Sequence, residues 1–219
     1  DATLWIGGVG QTGINAVAEI LNGKINPSGS LPDTYCFDNY SSPVMQNFTP
    51  IVYEGDVSKI PGHADTYMIY QEGIYVGYKY YETRYEDVVM GTANVGDYDY
   101  ASTVKYPFGY GLSYTTFAYS DFAAEYDKAS DSFNVSVTVT NTGDVAGKEV
   151  VQVYFSAPDG RLEKPYQELA AYGKTDELAP GEKQTLTLTY ATEDMSSYDE
   201  ELAAYIMEDG QYIIRVGNS

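Results

Sequence analysis

Three sets of residues have types and spacings that could do chemistry. The first is Gly8-x-Gly10-x-x-Gly13, between a short apolar run at residues 4–6 and a stretch carrying Ile14, Val17, Ala18, Ile20 and Leu21 at helical spacing. Glycines so spaced let a backbone approach a pyrophosphate, while the helix N-terminus offers unpaired N–H groups and the positive end of a dipole. Asp33 follows at about the 20-residue offset of a ribose-binding acid. The second set is Glu72, Glu82, Glu86 and Asp87, carboxylates from which an acid/base pair could be drawn. The third is a run of tyrosines, Tyr67, Tyr70, Tyr75, Tyr78, Tyr80, Tyr81 and Tyr85. An aromatic face covers the C–H surface of a sugar while the hydroxyl hydrogen-bonds, and Tyr75, Tyr78 and Tyr80 are the expected substrate-binding residues on that reading. Packing of the segment against a neighbouring domain is the competing one.

Other chemistries lack material. Cys36 is the only cysteine and His63 the only histidine. No intrachain disulfide can form, and a Cys–His pair, a Ser–His–Asp triad or a zinc site is poorly supplied. His63 sits in "IPGHADT", which reads as a loop. No metal and no cofactor is expected.

The elements that would position these residues decide among the readings. A dinucleotide fold needs two βαβαβ halves, but here the alternation stops after one helix, which "LNGK" ends with Asn22 and Gly23. The next stretch, "GSLPDTYC", is a poor central strand because of Pro32. Gly8, Gly10 and Gly13 are therefore expected to serve a tight turn and close helix packing, and Asn26, Pro27 and Gly29 the turn into a last, short strand. Residues 41–110 read as irregular. Nothing in the sequence gives one of their carboxylates the apolar pocket that would raise its pKa, so all four read as surface or structural charges. From about residue 111 the period becomes two. "FNVSVTVTNTG" places Phe133, Val135, Val137 and Val139 on one face, and "EVVQVYFSAP", "EKQTLTLTYA" and "GQYIIRVGNS" repeat the alternation between turn signals. A β-sandwich of roughly 100 residues is predicted.

The expected organisation is thus a βαβ segment (1–40), which the family resemblance given below makes the terminal part of an α/β sandwich domain, a tyrosine-rich linker with wrapping loops (41–110), and a fibronectin type III-like, immunoglobulin-like β-sandwich (111–219). The fold class is mostly β with a small, incomplete α/β part. With 12 Lys and Arg against 32 Asp and Glu, the formal charge of −20 disfavours nucleic acid and anionic membranes and leaves neutral substrates open. No apolar run reaches the 18 or so residues of a membrane span. The start at Asp1, just before an apolar strand, suggests a piece of something longer. The chain is expected to be soluble, with a cytoplasmic location favoured over a secreted one.

"LWIGGVGQTGINAVAEILNGKINPSGSLPDT" resembles the segment that closes the α/β sandwich domain of glycoside hydrolase family 3, the β-glucosidase and β-xylosidase family. "EGIYVGYKYYE" is similar to that family's "EGIYVGYRYYD", and "YPFGYGLSYTTFAYS" to its entry into the next domain. "NTGDVAGKEVVQVY", "KPYQELAAYGKT" and "LAPGE" resemble its fibronectin-like domain. Lys79 stands where the family often has Arg, and Val9 where it often has Pro. The resemblance implies retaining hydrolysis of β-linked glucosides or xylosides, in which two carboxylates about 5 to 5.5 Å apart act as nucleophile and acid/base. It also implies that the Asp nucleophile lies in a (β/α)8 barrel and the Glu acid/base upstream in the α/β domain, so neither falls in this chain. The expected partner is the remainder of the enzyme, and the chain alone should be inactive. A non-catalytic β-sandwich module for carbohydrate binding or scaffolding is the alternative.

Overall fold

The structure, a computed structural model, describes residues 3–56, 58, 65–92 and 95–219. His63 and its predicted loop lie outside the described residues. Helix α1, Ile14–Leu21, forms where the apolar spacing predicts it. Gly10, at φ +62°, makes the turn before it, and a Cβ on Gly13 would land on the carbonyl oxygen of Val9, whose backbone accepts the Gly13 N–H. Gly8 has open space around it, so the structure gives it no comparable steric duty. The predicted first strand at residues 4–6 has no paired neighbour among the described residues, and without a ladder it is not a strand. The short β1, Tyr35–Cys36, pairs antiparallel with β4, Val104–Tyr106. One helix and an antiparallel two-stranded ribbon do not build the parallel sheet that a dinucleotide would need.

Between them lie the two-residue strands β2, Ile51–Val52, and β3, Thr66–Tyr67, paired with each other. Two helices follow, α2, Tyr78–Met90, and α3, Tyr100–Thr103. Helix α2 corrects the irregular reading of this region. Tyrosine is a weak helix former, and only one residue of α2, Tyr81, is buried. The helix depends on its ends and on what it touches. Gly77 enters it at φ +62° and Gly91 leaves it in the left-handed conformation.

The sandwich is built as its alternation predicts. One sheet orders β5 (Phe117–Asp127), β6 (Ser132–Asn141) and β9 (Lys183–Ala191), and the other orders β12 (Ile213–Gly217), β7 (Val150–Ser156) and β8 (Glu168–Lys174). All these pairings are antiparallel. Val135, Val137 and Val139 of β6 meet Val151, Val153 and Phe155 of β7 in the core, where Val139, Val151 and Val153 are fully buried. Each buried methylene contributes about 0.8 kcal/mol, so this valine layer is a main source of the sandwich's stability. A hairpin of β10, Ser197–Asp199, and β11, Ala204–Ile206, is tied down by the ion pair of Arg161 with the buried Asp199.

Candidate functional site at the domain seam

The motif residues converge where the N-terminal segment and α2 meet the sandwich. Asn26 is the hub of the first contact. Its Nδ2 donates to the carbonyl of Ala146 at 3.0 Å, and its Oδ1 accepts from the Ser113 hydroxyl at 3.0 Å and the Tyr114 N–H at 2.8 Å. The Tyr114 hydroxyl donates to the carbonyl of Ile20 at 2.9 Å, in the last turn of α1. Lys174 of β8 donates to the Ser28 carbonyl at 2.6 Å. Leu31 and the Gly109–Tyr110 pair exchange backbone hydrogen bonds of 2.8 and 2.9 Å, zipping "NPSGSLP" to "YPFGYG". The predicted turn at Asn26, Pro27 and Gly29 is therefore also a latch across more than 80 residues of sequence.

Helix α2 makes the second contact. Lys79 pairs with Glu168, the Tyr78 hydroxyl accepts the Leu169 N–H at 2.7 Å, and the Thr83 hydroxyl accepts the Tyr166 N–H at 2.8 Å. The Tyr78 ring stacks on Phe108 at 4.7 Å and meets Tyr154 edge-on at 6.0 Å. Burial, opposed by the Leu169 N–H and aided by the Glu168 carboxylate, pushes the Tyr78 hydroxyl up to about 12. Tyr75 donates to Glu163 at 2.7 Å, and burial together with that carboxylate raises its pKa. Tyr80 packs edge-on against Tyr81 at 5.2 Å and Tyr98 at 6.5 Å. Tyr75, Tyr78 and Tyr80 thus go to three separate contacts and present no common face.

Among the carboxylates expected as surface or structural charges, burial raises the pKa of both Glu82 and Glu86, the latter also through Asp159 and Asp87 and against Arg215, and Glu82 is the one that lines a cleft. Desolvation raises the Glu82 pKa against the opposing effect of the Tyr100 hydroxyl, which donates to it at 2.7 Å. No sequence signal distinguishes it, because its surroundings come from α3, 18 residues on. Asp87 accepts from the Thr92 hydroxyl at 2.9 Å near the end of α2, a structural duty. The Cys36 thiol donates to the Tyr81 hydroxyl at 3.0 Å. Among the described residues no group of three His, Cys, Asp or Glu side chains could hold a metal ion. The arrangement can hold two units in register and keep phenol donors protonated at neutral pH.

The geometry defines a helix-bearing N-terminal segment latched at an Asn-Pro-Ser-Gly turn onto a two-sheet β-sandwich. The glycosyl hydrolase family 3 C-terminal domain matches residues 1–78 and a fibronectin type III-like domain matches residues 149–219. The chain belongs to glycoside hydrolase family 3. It is 41% identical over 232 aligned residues to Beta-glucosidase A of Butyrivibrio fibrisolvens, spanning 98% of this chain and 25% of that protein. The solved beta-glucosidase of Paenibacillus barengoltzii superimposes with a TM-score of 0.73 at 38% identity, over 94% of this chain and 20% of that one. For the Bifidobacterium adolescentis GH3 beta-glucosidase the values are 0.74 and 32%, over 95% and 26%. The chain spans about a quarter of the length of such relatives.

Proposed function

We propose that this chain is a structural, non-catalytic part of a retaining β-glucosidase-like hydrolase. In this reading it completes the α/β domain and carries the fibronectin-like domain, while the Asp nucleophile and Glu acid/base lie outside residues 1–219. The observation that carries the proposal is the match of nearly the whole chain to one region of β-glucosidases. The uncovered apolar surface of the N-terminal segment supports it. Trp5 is 65% and Leu21 73% exposed, and α1, although amphipathic, buries none of its residues. Such a surface calls for a protein neighbour, and the remainder of the same enzyme, within one polypeptide or as a separate chain, is the proposed one. The substrates are β-linked glucosides or xylosides. Tyr78 and, just before α2, Tyr75 fix this segment to the sandwich, Tyr80 packs α2 against Tyr98, and the three so bear on substrate binding through position rather than as one flat sugar platform. A cytoplasmic location accords with the single unpaired cysteine. No helix among the described residues is long and apolar enough to cross a membrane.

Replacing the matching quarter of the Butyrivibrio fibrisolvens beta-glucosidase A with residues 1–219 tests the reading. The chimera is expected to retain hydrolysis of an aryl β-glucoside, and the 219-residue chain alone to show none. A folded but inactive chimera, or turnover by the isolated chain, would overturn the proposal.

A further inference from the structure

A half-open cleft of about 160 Å3 lies where α2 meets the sandwich, lined by Tyr78, Glu82, Tyr100, Phe108, Tyr154 and Gln167 among others. At about 30 Å3 per water that volume holds about five water molecules, the size of a small ring solute. Its apolar wall is aromatic: the Tyr78 and Phe108 rings are stacked, and Tyr154 closes the corner edge-on. Its polar wall has unused capacity. The Glu82 carboxylate takes one bond from Tyr100 and is desolvated, and the half-buried Gln167 amide has no hydrogen-bond partner among the described residues. A primary amide offers two donors and an acceptor, and a carboxylate offers acceptors only. In a half-open cleft these free positions face solvent, and a ligand can take the place of the water there.

We infer that this cleft is a binding site for a small neutral polyhydroxylated ligand, a polyol or a single sugar ring. A hydroxylated ring has the matching two-sided chemistry. Its C–H face covers the aromatic rings, and its hydroxyls donate to Glu82 and accept from the Gln167 amide. An anion would meet the Glu82 carboxylate with no Lys or Arg among the lining residues to offset it, and a bare cation would leave the aromatic wall and the Gln167 amide donors unused. The geometry therefore selects neutral, hydrogen-bonding solutes. The inference is independent of where the hydrolytic carboxylates lie, and its test reads no hydrolysis.

Saturation-transfer-difference NMR on the 219-residue chain, with methyl β-D-glucopyranoside and then glycerol as probes, tests the site. Ring C–H protons of the glucoside are expected to receive saturation, and the titrated affinity to fall at least tenfold in both Gln167→Ala and the shape-preserving Gln167→Met. Unchanged thermal melting of either variant would show that the fold survives, because Gln167 forms no internal hydrogen bond. Absence of saturation transfer, meaning the cleft holds water only, overturns the inference. So does binding that both variants leave undiminished, which would place the probe elsewhere.

Discussion

Asn141 closes β6 with no exposed surface and four hydrogen bonds. Its Oδ1 accepts from the Thr115 hydroxyl at 2.6 Å and the Gly143 N–H at 3.1 Å, and its Nδ2 donates to the carbonyls of Val145 and Leu178, each at 2.8 Å. Removing the amide leaves several buried groups unpaired at about 1–3 kcal/mol each. Asn141→Ala is therefore expected to cost about 3–5 kcal/mol, read as a fall in urea midpoint without a change in m. Glu82 makes the opposite prediction. Its folded pKa lies above its unfolded value because burial disfavours the carboxylate. The native state therefore keeps the proton longer, and the stability present below the unfolded pKa is lost as pH rises through the folded one. Glu82→Gln, which still accepts from Tyr100, should raise the urea midpoint at pH 7 and flatten its decline between acid and neutral pH. An unchanged pH profile would contradict this. Asn141 stands in a turn legible from "NTG", whereas nothing beside Glu82 in the sequence marks its burial.

At the scale of elements, β6, β9 and β12 were legible because a strand half-buried in a sandwich alternates apolar and polar residues by its own geometry, whereas β7 is buried on both faces and shows as a near-continuous apolar run. Helix α2 was not. Its inward residues are tyrosines that read as surface or strand formers, and Val88, Val89 and Met90 at its end are 40 to 67% exposed. Its stability comes from Lys79, Tyr78 and Thr83 gripping residues 166–169, contacts more than 80 residues away. The entry at Gly77, φ +62° and ψ −132°, is a conformation that L side chains rarely adopt. Gly77→Ala is expected to cost roughly 1–3 kcal/mol and to speed tryptic cleavage at Lys79 and Arg84. Cleavage at the parental rate would show that α2 tolerates a different entry.

For the whole molecule, the decisive asymmetry is between a finished sandwich and an N-terminal segment whose apolar face is bare. Trp5, the only tryptophan, reports on that face. Its fluorescence in the isolated chain is expected at the long wavelengths of a hydrated indole, and to shift to the blue in the β-glucosidase chimera once the face is covered. An emission unchanged on incorporation would mean that the surface meets no neighbour. The sequence by itself determined the sandwich, the α1 turn and the family, because these rest on short-range periodicity, turn chemistry and ordered motifs. Only the tertiary structure decided that "NPSGSLP" is a latch centred on Asn26, that α2 is a helix, that the three tyrosines part company, and that Glu82 and Gln167 share a cleft. Each of those depends on which distant side chains arrive at the same place, and local sequence carries no record of burial that is supplied from elsewhere in the chain.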